Sequence, residues 1–402
     1  MIIDDGIKQL YILDYRNIKI IPKSYIDSFI NYFFQQAINN DSSDIHIEPG
    51  EEFFRIRYRQ LGELLEFGKY DLEKYKSLLS RIKIICGLDI AEKRIPQEGR
   101  FNGIYGNNAY DFRISIIPVY FGEKISIRIL KRKKIVESLI DLGFNEKIYK
   151  NFLKCLNKKS GLILISGPMG SGKTTSLYSI LNEINTGDRN IVTVEDPVEY
   201  VIEGINQIQC NEDLGLSFSK LLKIILRQDA DIIAIGEIRD KATASFALTA
   251  SLTGHLILST IHSKNSVSSL KRLQDLGVNI NLLYEGITGV FSQKLIRTLC
   301  PHCKTIDRDY LKKIKNLNLS EIDFREKEVY TKKGCSFCNQ TGYVDRVPIS
   351  EFLLKKTQNF HGDLLDKNIL NFFEATTDSM FLDGLRLVLQ GETSLDELLR
   401  VI

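Results

Sequence analysis

The chain has 402 residues, 43% of them hydrophobic and 26% charged, with a net charge of +3. At ~100–200 residues per domain this length calls for two or three globular domains, and so small a charge argues against a dedicated nucleic-acid binder. Seven cysteines, with Cys86, Cys155 and Cys210 in apolar surroundings, exclude a secreted disulfide framework and suit a reducing compartment.

The opening "MIIDDGIKQL" has acids where a signal peptide needs bases. The longest apolar runs, such as "GLILISG", fall far short of the ~20 residues of a spanning helix. A cytoplasmic protein is therefore expected, with any membrane association made through partners. Residues 1–24 read as a short lead-in ending near Pro22. "SYIDSFINYFFQQAINN" follows, with an apolar stripe of Tyr25, Phe29, Tyr32, Phe33 and Ala37 behind a Ser24 N-cap, which predicts a helix. "DIHIEP", "EFFRIRYRQ" and "LLEF" alternate as half-buried strands around a turn at Gly62. A helix over 71–86 and the strands "YDFRISIIPV" and "KISIRIL" complete an α+β domain at 25–130. The basic run "KRKK" opens a linker at 131–136.

From residue 137 the rhythm becomes strand, loop, helix, strand. "GLILISG", "NIVTVED" and "DIIAIGE" read as buried strands of a mostly parallel α/β sheet. Between the first strand and the helix "KTTSLYSILNEI" lies "GPMGSGKT", a complete Gly-x-x-x-x-Gly-Lys-[Ser/Thr]. The glycines let backbone N–H groups turn onto phosphate oxygens, the helix offers its positive end, and the lysine reaches the outer phosphates. Gly167, Pro168, Met169, Gly170, Ser171, Gly172, Lys173, Thr174 and Thr175 are thus expected to bind ATP, with the Thr174 hydroxyl on Mg²⁺.

Hydrolysis also needs an acid near the metal and a group that orients water. Strand ends supply Glu195, Asp196 and Glu199, and Asp231, Glu237, Arg239 and Asp240; spacing alone does not sort them. His255 and His262 flank one apolar strand at an odd offset, so they face opposite sides and share no metal.

Cys300, Cys303, Cys335 and Cys338 form two Cys-x-x-Cys knuckles, the composition of a tetrahedral structural zinc site. An iron–sulfur cluster is the alternative. The 31 residues between the knuckles exceed usual zinc-ribbon spacing, and a looped-out helical excursion accommodates them. His302 reads as a bystander.

From about residue 40 to 402 the chain resembles the ATPases of type II secretion and type IV pilus assembly, including competence-pseudopilus members. The resemblance rests on "SDIHIEP", "SRIKIICGLDIAEKRIPQEGR", "DFRISIIP", "GEKISIRIL", the phosphate loop, "VEDPVEY", "LRQDADIIAIGEIRD", "TGHLILSTIHSKN" and "DGLRLVLQGETSLDELLRV" in that order. It implies a RecA-like core over 137–402, with a zinc lobe at 299–343 and a helical tail at 346–402, behind a smaller PAS-like domain. It implies a homohexamer at the cytoplasmic face of the inner membrane, working on a membrane platform protein without direct nucleic-acid contact. By motif, Glu195 becomes the catalytic base, Glu237 the acid near Mg²⁺ and His262 the histidine nearer the γ-phosphate. Arg113 and Arg128 become the arginines that reach the nucleotide.

Leu61, Ala230, Ala242 and Asp345 depart from the family pattern. Larger relatives carry a further N-terminal docking domain, so the ~40 residues before the match imply an absent or altered docking mode. The tetracysteine insertion favours the assembly branch over retraction motors. A nucleic-acid motor is the alternative of another class, since Arg55, Arg57 and Arg59 share one strand face.

Overall fold

The computed structural model describes residues 10–13, 24–132, 138–211, 214–310, 312–313, 328–356 and 369–402. They fall into two units, Met1–Ile135 and Val136–Ile402.

Period-two alternation builds the first unit. Strands β1 (Leu10–Leu13), β2 (Asp44–Pro49), β3 (Phe53–Gln60), β4 (Glu63–Asp71), β5 (Gln97–Tyr105), β6 (Asn108–Val119) and β7 (Gly122–Arg132) form one antiparallel sheet, ordered β1-β5-β6-β7-β2-β3-β4. Helices α1 (Tyr25–Asn39) and α2 (Glu73–Cys86) cover one face. The Ser24 side chain caps α1 by accepting from the Asp27 N–H. Ile30, Phe33, Phe34 and Ala37 of α1 join Ile45, Ile47, Phe54, Ile56 and Phe112 in a single core. The opposite face carries the charged partners of that alternation. Arg55 and Arg57 pair with Glu48 at 2.8 Å each, and Arg59 lies 3.9 Å from Asp44.

Two boundaries differ from the sequence reading. Leu10–Leu13 is no separate lead-in: it pairs with β5, and Ile12 is buried. Lys131 and Arg132 end β7 instead of opening the linker, because the β6–β7 ladder runs on to Ala109↔Arg132; residues 133–137 lie outside the described residues.

The second unit begins with α3 (Glu146–Leu156), β8 (Gly161–Gly167), α4 (Lys173–Ile184), β9 (Ile191–Glu195), β10 (Asn206–Gln209), α5 (Phe218–Ile225), β11 (Ile232–Ile235), α6 (Lys241–Leu252) and β12 (Leu256–His262). It continues with α7 (Ser266–Asp275), α8 (Ile280–Gly286), β13 (Ile287–Leu299), β14 (Thr305–Ile306), β15 (Tyr330–Thr331), β16 (Tyr343–Lys355), β17 (Phe373–Ala375), α9 (Met380–Leu389) and α10 (Leu395–Val401). Eight strands make a sheet ordered β10-β9-β11-β12-β8-β13-β16-β17. It is parallel from β10 to β13 and antiparallel at β16 and β17. Strand β8 shows why it reads as an unbroken apolar run: Leu162 and Leu164 enter one core while Ile163 and Ile165 enter another.

The tail at 346–402 is not helical throughout. Residues 343–355 are β16, whose Val347 and Ile349 stand opposite Ile296 and Lys294 of β13. Pairing with an existing sheet edge decides the conformation here, and α-helix occupies Met380–Leu389 and Leu395–Val401. The cysteine lobe hangs from the tip of this β13–β16 pair, and β14 and β15 close its base. Of the expected helical excursion, residues 311 and 314–327 lie outside the described residues.

Candidate functional site

The phosphate loop leaves β8 at a position only glycine fills. Gly167 has φ +156°, and a Cβ there would stand 2.3 Å from the Gln293 carbonyl oxygen and 2.4 Å from Ser171 Oγ. Gly170 and Gly172 take φ +74° and +86°, the left-handed region that turns successive N–H groups inward. Lys173 opens α4, and its Nζ donates to the carbonyls of Gly167 and Pro168 at 2.9 Å each. Burial lowers its pKa to about 8, opposed by the nearby Glu237 carboxylate. Ser171 is buried, whereas Pro168, Met169, Gly170, Thr174 and Thr175 are exposed.

Parallel strands put their carboxyl ends along one edge, and the chemistry-bearing residues gather there. The β8–β12 register sets His262 opposite Gly167. Nδ1 of His262 lies 3.1 Å from Lys173 Nζ, and Nε2 lies 3.2 Å from Glu237 Oε1. An ammonium only donates and a carboxylate only accepts, so this imidazole carries its proton on Nε2. Glu237 Oε2 accepts from Arg239 Nε at 2.8 Å, and Arg239 lies 3.6 Å from Asp196. One chain of contacts therefore runs Lys173–His262–Glu237–Arg239–Asp196.

The same topology separates the other candidates. His255 precedes β12 at the far edge, with Nδ1 3.2 Å from the Ala250 carbonyl. Asp231 precedes β11 at that far edge too and accepts from the Asn190 N–H. Asp240 caps α6 by accepting from the Thr243 N–H.

Glu195 ends β9 and is buried, 6% exposed. Its carboxylate accepts from the hydroxyls of Tyr178 and Thr193, and from Gln207 Nε2 at 3.2 Å. Tyr178 also accepts from the Glu199 N–H, and its ring packs against Tyr200 with centroids 4.2 Å apart. Sequence reasoning missed these three partners. Thr193 was accessible to it, since residues two apart on a strand share a face; nothing local marks Tyr178 or Gln207.

Arg113 and Arg128 stand opposite one another on β6 and β7 in the first unit. Arg128 pairs with Asp44 at 3.3 Å and keeps 62% of its side chain exposed. Arg113 lies 3.9 Å from Asp111. Among the departures, Leu61 takes φ +49°, Ala230 is buried, and Ala242 and Asp345 are exposed.

The four knuckle cysteines converge. Cys300–Cys335, Cys303–Cys338 and Cys335–Cys338 have Sγ separations of 3.9, 3.8 and 3.7 Å, and all four atoms lie within 4.8 Å of one another. Tetrahedral thiolates ~2.3 Å from a central zinc stand ~3.8 Å apart, so the donor set fits that ion. The Gly334 N–H points at Cys303 Sγ, and the N–H groups of Cys335 and Gly342 point at Cys338 Sγ. Burial opposes ionisation of Cys338, yet those N–H groups and the neighbouring thiols bring it down to about 7. His302 packs on Phe337, outside the cluster.

The family model described as "Type II/IV secretion system protein" matches residues 22–400. The chain belongs to that family. It is 40% identical over 385 residues to the type II secretion system ATPase E of Vibrio cholerae, covering 94% of this chain and 75% of the relative. It is 38% identical over 383 residues to the type IV pilus assembly ATPase PilB of Thermus thermophilus, covering 94% of this chain and 43% of the relative. The fold resembles the solved ATPase DotB of Legionella pneumophila, with a TM-score of 0.66, 20% identity, and 95% and 97% of the two chains covered. The retraction motor PilT with bound ADP gives a TM-score of 0.58 at 23% identity, with 92% and 96% covered. This family member is therefore an ATPase on a RecA-like α/β core. Among the described residues no helix is long and apolar enough to cross a membrane.

Proposed function

We propose that this ATPase is a homohexameric motor that powers assembly of a type IV pilus or of a secretion or DNA-uptake pseudopilus. It would act peripherally at the cytoplasmic face of the inner membrane, on a membrane platform protein. What supports the reading is the edge where Lys173, His262 and Glu237 meet at the Gly167–Thr174 loop, with Glu195 at the end of β9 in the same sheet.

Lys173 brings a cation to the nucleotide phosphates. Thr174 and Glu237 would hold Mg²⁺, which when bound neutralises charge on the outer phosphate oxygens. His262 links Lys173 to Glu237 and keeps both in place. Glu195 orients and deprotonates the attacking water, and Tyr178, Thr193 and Gln207 fix its carboxylate. By the family resemblance, Arg113 and Arg128 are the guanidinium candidates for the transferring phosphoryl group. Cys300, Cys303, Cys335 and Cys338 would hold a structural zinc with no part in hydrolysis. A colourless protein with one zinc per chain is expected; a coloured iron–sulfur centre would overturn that assignment.

Glu195→Gln is the deciding experiment. It should abolish phosphate release while leaving ATP binding intact, and unchanged turnover would remove Glu195 from the role of base. ATPase activity should also be indifferent to added DNA, because Glu48 and Asp44 already pair the arginines of β3.

A further inference from the structure

We infer that Gln293, on β13, is a positioning residue of the phosphate loop. It is 1% exposed, and both ends of its amide are committed. Nε2 donates to the Ser171 carbonyl at 2.6 Å, and Oε1 accepts from the Ser176 hydroxyl at 2.7 Å. A carbonyl only accepts, so the amide has one orientation here. Ser171 lies in the loop and Ser176 in the first turn of α4, so one side chain ties the loop to the helix whose positive end faces phosphate. Its own carbonyl oxygen fills the space beside Gly167 that a Cβ would need. The residue therefore meets the loop at its start, its middle and its helical end.

The consequence follows from peptide planarity. In a trans peptide the C=O and the following N–H point in opposite directions. Holding the Ser171 carbonyl against β13 turns the Gly172 N–H the other way, into the concave side of the loop. That N–H is one of the donors a phosphate oxygen needs. Releasing Ser171 frees the peptide to rotate, since Gly172 imposes little conformational restraint. Register puts Gln293 at this place: β13 runs parallel to β8 with Ser292 opposite Ser166, one residue before Gly167. Gln293 touches no reacting atom, so its effect passes through the loop.

The inference rests on the loop being the nucleotide site, and the test separates the two. Mg-ADP affinity and the thermal midpoint without nucleotide are measured for the full chain and for Gln293→Met, which keeps the length and removes both polar ends. A roughly tenfold loss of affinity is expected, on the scale of one buried hydrogen bond, with a fall of only a few degrees in the nucleotide-free midpoint. Gln293→Glu keeps an acceptor for Ser176 but faces the Ser171 carbonyl with a second acceptor, so it should bind at least as poorly. Affinity within twofold of the unsubstituted chain in Gln293→Met would overturn the inference, even with a lowered midpoint. If Gln293→Met does not fold, Ser176→Ala decides: about a threefold loss supports the inference and unchanged affinity overturns it. Lys173→Ala is the control. Normal binding there would overturn the loop reading itself, whereas lost binding there beside normal Gln293→Met would overturn only the role of Gln293.

Discussion

The first unit lays most of its charges across an open sheet face, where neighbouring strands pair many of them, and buries one pair, Lys83 and Glu123, 2.7 Å apart. Glu48 alone receives Arg55, Arg57 and Lys124. The second unit either gathers charges where its parallel strands end or sinks them in pairs, as with Arg297 and Glu397, whose side chains are 5% and 0% exposed and 2.6 Å apart. The difference follows from layering. An antiparallel sheet with helices on one side leaves its other face for polar residues, whereas a parallel sheet covered on both faces leaves only strand ends and loops. Chemistry in the second unit therefore gathers at an edge, and a charge buried beneath the helices, as Arg297 is, is matched inside the protein.

The sharpest test of that contrast is Glu397→Leu. It strands Arg297 without its partner, a loss of about 3–5 kcal/mol in unfolding free energy, read by chemical denaturation. Adding Arg297→Met should recover most of it, because the pair itself contributes little net stability. Gly167→Ala comes next. The added methyl meets a backbone oxygen at 2.3 Å, so about 3 kcal/mol should be lost together with Mg-ADP affinity.

In the first unit Glu48→Gln should cost only about 1 kcal/mol at neutral pH, since solvent screens the cluster. Its pH dependence is the better readout. Burial opposes ionisation of Glu48, but hydrogen bonds from Arg57, Lys124 and Arg55 hold its carboxyl at about 2, below the ordinary 4.5. The folded pKa is depressed, so this contribution is complete above pH 4.5 and disappears as pH falls through about 2. Acid unfolding of the substituted protein should lack that component. An equal cost for Glu48→Gln and Glu397→Leu would break the comparison.

The smallest effect is a gain. Leu61 and Gly62, at φ +49° and +86°, turn β3 into β4, and a leucine is poorly suited to the left-handed region. Leu61→Asn should raise the unfolding free energy by up to about 1 kcal/mol; a loss would mean that the leucine side chain contributes packing there.

Much of this was legible where local pattern and structure coincide. The β2, β3, β6 and β7 strands alternate, and β8 is apolar because both its faces are covered. The phosphate loop and the paired cysteines are written in consecutive residues. The parts that could not be read depend on partners distant in sequence. β1 is a strand because β5 offers it an edge, and β5 because it pairs along β6; "QEGRFNGIY" has too little alternation to say so. β16 is a strand because β13 offers it an edge. The two histidines are told apart by strand direction, which sets one at the loop and the other at the far edge. Tyr178, Gln207 and Gln293 reach their partners across strands and helices, so no spacing announces them.

The cysteine lobe has a consequence for how this chain tolerates change. Leu299 pairs with Tyr343 at the tip of the β13–β16 ladder, and Thr305–Ile306 with Tyr330–Thr331 just beyond. Whatever length lies past Tyr330 and Ile306 is thus closed twice before it reaches the sheet. Closing a loop costs only about 0.6 kcal/mol more for each doubling of its length. Residues added between the knuckles would therefore leave the β13 register untouched, and with it the place of Gln293 beside the phosphate loop.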